Sequence, residues 1–280
     1  MRPLVSPSLL KDRLGDPGTI VLDATLPPVG VRPVPDVRAS YLAQHIPGAL
    51  YFDIEEFSDH GSPFPHMLPA PAEFARKAGA LGISPEATLV VYEQEGVFSA
   101  PRAWWMLRTM GAREVLLLDG GLRAWIAAGY PAASGTESRP PTVFQPHFDA
   151  NAVRDFSQVQ QAIGDHAQVL DARSAARFSG AAPEPRAGLR SGHMPGAVNT
   201  PFTELQERGK FLPAEQLRQL FQAKGVALDR PIVTTCGSGV TAAVVSFGLA
   251  LAGAEEVSLY DGSWAEYAQQ PEAVVEASST

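Results

Sequence analysis

At 280 residues, with 45% apolar side chains and a net charge of −8, the chain can bury ample core and carries too little positive charge to favour a nucleic-acid partner. Its one cysteine, Cys236, rules out an intrachain disulfide or a cysteine-built metal cluster and fits a reducing compartment. The opening Met1-Arg2-Pro3-Leu4-Val5-Ser6-Pro7 lacks the apolar centre of a secretion signal and no run approaches membrane-spanning length, so a soluble, cytoplasmic protein is expected.

Taken in order, short apolar runs alternate with segments of helical pattern, which predicts an α/β fold with a mostly parallel sheet. In the first half, strands are expected at 20–23, 50–52, 89–92 and 115–118, and helices at 8–14, 71–81, 100–110 and 122–128. Trp104 and Trp105 read as core of the third of these helices. A Pro-rich, weakly patterned stretch at 131–150 reads as a linker between residues 1–130 and 151–280. The second half predicts strands near 169–171, 197–199, 232–235 and 257–260.

The two halves are copies of one plan. Leu22-Asp23-Ala24 returns as Leu170-Asp171-Ala172, and His45-Ile46-Pro47-Gly48-Ala49 as His193-Met194-Pro195-Gly196-Ala197, both offset by 148. Leu118-Asp119-Gly120-Gly121 is echoed by Tyr260-Asp261-Gly262-Ser263. Ordered matches at nearly constant spacing indicate a tandem duplication. His45 and His193, inside the paired Pro-Gly turns, read as structural.

The cysteine stands where such a fold concentrates chemistry. Pro231-Ile232-Val233-Thr234-Thr235 is a β-branched buried strand, and Thr241 to Ala252 is an apolar helix closed by Gly253. Cys236-Gly237-Ser238-Gly239-Val240-Thr241 is then a tight loop from strand to helix, whose glycines turn backbone N–H groups inward and whose helix dipole adds positive potential. Helix amino termini favour the thiolate form of a cysteine, which is the nucleophile. A Cys-based phosphatase loop would place Arg six residues after the Cys to bind phosphate; Ala242 is there instead.

This loop resembles the active-site loop of rhodanese-type sulfurtransferases, and of their mercaptopyruvate-using branch in particular. Thiosulfate-using relatives typically carry basic side chains where this chain has Gly237 and Ser238. The resemblance spans nearly the whole chain and implies two tandem rhodanese-like domains, each a mostly parallel sheet flanked by helices, with a non-catalytic first copy. Alignment of the copies agrees, because Glu93 falls where Cys236 sits.

Further roles follow from the resemblance. His66, in Ser62-Pro63-Phe64-Pro65-His66-Met67-Leu68-Pro69, becomes the partner of Ser238 in a triad completed by Glu55. The family pattern has Asp at the acidic position, so Glu55 is a departure, and Asp53 is the alternative. Arg177 and Arg186, in the Arg-Phe and Glu-Pro-Arg elements, would hold the substrate carboxylate, with Arg190 as a less favoured substitute. Gly237, Gly239, Val240 and Thr241 complete the substrate cradle.

The expected reaction moves sulfur from 3-mercaptopyruvate to Cys236, releases pyruvate, and discharges the persulfide to thioredoxin, a dithiol or cyanide. The leaving enolate needs a proton, which the Ser238–His66 pair would supply. No metal or organic cofactor is required. The alternatives are a thiosulfate sulfurtransferase, or a persulfide carrier or redox module with little turnover of its own.

Overall fold

Each repeat folds around a five-stranded sheet, and the order of strands is the same in both. The chain is described by a computed structural model covering residues 3–277. In the first repeat the elements run β1 (Leu4–Val5), α1 (Pro7–Arg13), β2 (Thr19–Asp23), α2 (Val37–Ala43), β3 (Leu50–Tyr51), α3 (Pro71–Ala80), β4 (Thr88–Tyr92), α4 (Ala100–Thr109), β5 (Glu114–Leu118) and α5 (Gly121–Ala127). The second repeat runs β6 (Val153–Arg154), α6 (Phe156–Gly164), β7 (Gln168–Asp171), α7 (Ala175–Phe178), β8 (Val198–Asn199), β9 (Gln206–Glu207), β10 (Lys210–Phe211), α8 (Ala214–Ala223), β11 (Ile232–Thr235), α9 (Val240–Ala252), β12 (Val257–Tyr260) and α10 (Ser263–Tyr267).

The sheets read β1-β5-β4-β2-β3 and β6-β12-β11-β7-β8, with every pairing parallel. The α/β expectation from alternating apolar and helical segments therefore holds. Central strands β2, β4 and β11 are buried almost throughout, which is why they read as unbroken Val/Ile/Leu/Thr runs rather than alternating ones. Helix α9 is apolar nearly all round, and only a helix sunk in the core tolerates that.

By internal contacts the chain divides into two units. The first holds Met1–Asp59, Leu68–Asp149 and Arg208–Phe211; the second holds His60–Met67, Ala150–Glu207 and Leu212–Thr280. Each unit thus includes a short piece of chain from the other repeat. In unit 1 a core of Val21, Val90, Tyr92, Leu116, Leu118 and Trp125 lies against the sheet. Trp104 and Trp105 are buried, as helix core should be.

The stretch expected to act as a linker is tied along unit 1. The N–H of Ala133 donates to the His45 carbonyl at 2.8 Å and that of His45 to the Ala133 carbonyl at 2.9 Å, while Thr142 donates to Gly79 and His147 to Met110. In unit 2, Val169, Val233, Tyr260, Trp264 and Tyr267 form the matching core. Its tail is clasped by Arg190, whose guanidinium donates to the carbonyls of Tyr267, Ala268, Gln270 and Ala273. With its donors on backbone carbonyls, Arg190 serves the tail and not a ligand. Among the described residues no helix is long and apolar enough to cross a membrane.

Candidate active site

The site in unit 2 begins at the carboxyl end of β11, the edge at which open parallel sheets bind their ligands. Register fixes the setting: Thr235, the last residue of β11, lies beside Asp171, the last of β7. Cys236 follows directly and is 2% exposed. The loop then closes into α9 through Gly239, at φ 79°, a left-handed turn that a side chain would strain. Val240 is buried and Thr241 half-buried in the first turn of α9, whose leading N–H groups have no intrahelical acceptor.

A hydroxyl that sequence reasoning missed fixes the loop. Ser263 accepts hydrogen bonds from the N–H groups of Cys236 at 3.3 Å and Gly239 at 3.1 Å, and donates to the Tyr260 carbonyl at 2.9 Å. It is fully buried with φ 49°, a conformation that costs a non-glycine residue about 1–3 kcal/mol. The repeat carried the signal, since Ser263 stands where the first copy has Gly121.

His66 meets Ser238 inside this unit. The Nδ1 atom of His66 and the Ser238 hydroxyl share a hydrogen bond of 2.9 Å, and both residues are buried. Arg186 also donates to that hydroxyl from Nη2, at 3.5 Å. Glu55 belongs to unit 1 and is exposed; its N–H donates to the Asp53 carboxylate at 3.1 Å.

The arginines approach the loop at Gly237. A Cβ built there would lie 3.0 Å from Arg177 Nη2 and 3.9 Å from Arg186 Nη1, so the guanidiniums occupy the space a side chain would need. Behind Arg177 is a buried ionic chain that the sequence did not disclose. Glu184 pairs with Arg177 through both oxygens and accepts from Arg173 Nη1 at 2.8 Å. Arg173 is fully buried, grips Asp171 from Nε and Nη2, donates to the Gly192 carbonyl at 2.8 Å, and lies 4.1 Å over the Trp264 ring. Burial alone would pull Arg173 down, yet Asp171 and Glu184 hold it above its ordinary value. Asp171 and Glu184 thus pair with Arg173 and Arg177 in one buried chain beside the cysteine loop.

Unit 1 has the corresponding loop with a different occupant. Glu93 follows β4 and is buried, and its carboxylate accepts from the N–H groups of Phe98 (2.8 Å), Ser99 (3.1 Å) and Ala100 (3.2 Å) and from the Ser99 hydroxyl (3.2 Å). Burial pushes this carboxyl up to about 7 although the N–H groups act the other way. The carbonyl of Glu93 accepts from Leu122 at 3.0 Å as that of Cys236 accepts from Trp264 at 2.9 Å. Among the described residues no cluster of His, Cys, Asp and Glu could hold a metal ion.

Duplicated parallel sheets, each ending its central strand in a loop that cradles an acid or a thiol, define a protein class, and the chain belongs to it: the rhodanese family, whose Rhodanese-like domain it matches over residues 6–128 and 155–270. Within the family it is 44% identical to the 3-mercaptopyruvate sulfurtransferase of Escherichia coli (strain K12), over 95% of both chains. It is also 42% identical to the thiosulfate sulfurtransferase of Bos taurus, over 90% of this chain and 85% of that one. The crystal structure of SseA from Escherichia coli, a 3-mercaptopyruvate sulfotransferase, matches with a TM-score of 0.87 at 42% identity, covering 95% of this chain and all of the other.

Proposed function

We propose that the protein is a sulfurtransferase that takes sulfur from 3-mercaptopyruvate and releases pyruvate. What carries this reading is the hydrogen bond between His66 and Ser238 two residues after the cysteine, a proton-handling pair that a sulfite leaving group has no use for. The identity to mercaptopyruvate enzymes supports it.

In the first half-reaction the Cys236 thiolate attacks the sulfur of HS–CH2–CO–COO⁻. The carbon–sulfur bond breaks, its electron pair moves into the pyruvate enolate, and the enolate carbon takes a proton from Ser238, which is reprotonated through His66. Cys236 is left as a persulfide. Arg177 and Arg186 hold the carboxylate, and the loop N–H groups of Gly237, Val240 and Thr241 stabilise negative sulfur, while Gly239, whose N–H is taken by Ser263, shapes the turn. In the second half-reaction a nucleophile removes the outer sulfur: cyanide leaves as thiocyanate, and a dithiol or thioredoxin becomes a disulfide with release of hydrogen sulfide. No cofactor enters this scheme, and a reducing cytoplasm keeps the thiol available.

Identity to the Bos taurus enzyme favours thiosulfate as a second donor. The Gly237-Ser238 pair adds no positive side chain for that dianion, which places it second. Donor-resolved kinetics test the reading: kcat/KM for mercaptopyruvate should exceed that for thiosulfate by at least about tenfold, with pyruvate formed over many turnovers. Equal or reversed preference would move the assignment to thiosulfate, and a single stoichiometric burst would make the protein a carrier.

A further inference from the structure

Arg177 sits on a helix of four residues, α7, followed by a glycine-containing loop. A long side chain on so short an element would sample many rotamers if nothing held it, and a carboxylate binder that wanders binds poorly. Glu184 holds it. The acid is seven residues on, and its side chain is only 2% exposed. It takes Arg177 by the Nε–Nη2 edge, with Nε at 3.2 Å from Oε1 and Nη2 on Oε2. That side-on pairing leaves Nη1 and the outer hydrogen of Nη2 for another acceptor.

Glu184 is itself fixed. Its Oε1 receives Arg173 Nη1 at 2.8 Å, and Arg173 is locked by Asp171 at the end of β7, by the Gly192 carbonyl, and by the face of Trp264. The chain of ion pairs runs from a sheet terminus to the guanidinium beside Gly237.

We infer that Glu184 is a positioning residue, acting through Arg177, which aims that guanidinium at the carboxylate of a donor bound at Cys236; the inference rests on the sulfurtransferase reading above. It opposes the simple electrostatic expectation. A buried negative charge next to an anion site should weaken anion binding, so a bystander Glu184 would predict tighter donor binding once its charge is removed. A positioning Glu184 predicts looser binding.

Two readouts separate these cases. Cys236 is alkylated in parallel with iodoacetate, which carries a carboxylate, and iodoacetamide, which does not, in the wild type and in Glu184→Gln. The ratio of iodoacetate to iodoacetamide rates should fall about tenfold in the variant, and KM for mercaptopyruvate should rise about tenfold while kcat stays within about threefold. A loss of general integrity would change both rates alike and leave the ratio where it was. Glu184→Asp keeps the charge but is one methylene too short to span both arginines, so it should move the ratio the same way, by about threefold; it also serves if Glu184→Gln does not fold. An unchanged ratio, or a lower KM, overturns the inference. A wild type that releases no pyruvate would instead remove the sulfurtransferase reading, and the alkylation ratio would still decide whether Glu184 aims Arg177.

Discussion

The loops after β4 and β11 are the same device put to opposite uses. Both leave the carboxyl end of a central parallel strand and both open a helix. In unit 1 the stretch from Glu93 to the helix start at Ala100 is long enough for the carboxylate to fold back onto Phe98, Ser99 and Ala100, so the loop is filled by its own side chain. In unit 2 the helix begins at Val240, four residues after Cys236, and the thiol is too short to consume the cradle that way. Loop length and one residue type separate a loop filled by its own carboxylate from one that ends its strand in a thiol.

The sharpest way to break the comparison is Cys236→Ser, which should cut mercaptopyruvate-dependent pyruvate release by about a thousandfold or more. Retained turnover would mean the sulfur chemistry lies elsewhere. Next, His66→Ala or Ser238→Ala should lower kcat for mercaptopyruvate by about a hundredfold, the size of a general-acid contribution, and leave thiosulfate turnover nearly untouched. Equal losses for both donors would mean that the pair shapes the loop and moves no proton. Arg186→Ala should cost about ten- to a hundredfold in kcat/KM, the equivalent of a charged hydrogen bond of about 1.5–3 kcal/mol. An unchanged value removes Arg186 from the substrate site.

Two smaller effects probe the filled and open loops directly. Ser263→Gly installs the residue of the first copy; it relieves backbone strain but frees the N–H groups of Cys236 and Gly239, and should lower kcat/KM by about threefold. Glu93→Gln should leave turnover unchanged and alter only the pH dependence of stability. The folded carboxyl at about 7 lies above the ordinary 4.5 of the unfolded chain, so the native state holds the proton more tightly and loses stability as pH rises from about 4.5 to about 7. Relative to Glu93→Gln, the wild type should lose on the order of 3 kcal/mol across that window in thermal or denaturant unfolding. A parallel pair of curves would show that the carboxyl titrates normally.

Much of this was legible in the residues. Strand β11 occupies the expected 232–235, and α9 begins one residue before the expected Thr241, because an unbroken β-branched run meeting Gly-Ser-Gly and a small-residue helix leaves little freedom. Strands β1 and β6 went unread: each is two residues long and, unlike β3 and β8, neither follows a repeated Pro-Gly turn that marks its place. Helix α2 was missed although Asp36 caps it through the Ala39 N–H, a signal hidden behind the Pro-rich run at 27–35. The insertion bearing His66 shows in the repeat offset, which drops from 148 (His45 to His193) to 143 (Pro71 to Ala214). The Arg173–Glu184–Arg177 chain could not be read, because charges in a Gly- and Pro-rich loop look solvated until the fold buries them. A comparison of the copies would have flagged it: Asp23 is partnered by Thr25 in unit 1, and Asp171 by Arg173 in unit 2.

The second unit's inclusion of residues 60–67 reaches beyond chemistry. A gene cut at residue 150 would yield a downstream product with its thiol and its guanidiniums but without the imidazole that hydrogen-bonds Ser238. On the proposed mechanism, the duplication is therefore no longer reversible by simple deletion, because the downstream half would lack the partner of Ser238.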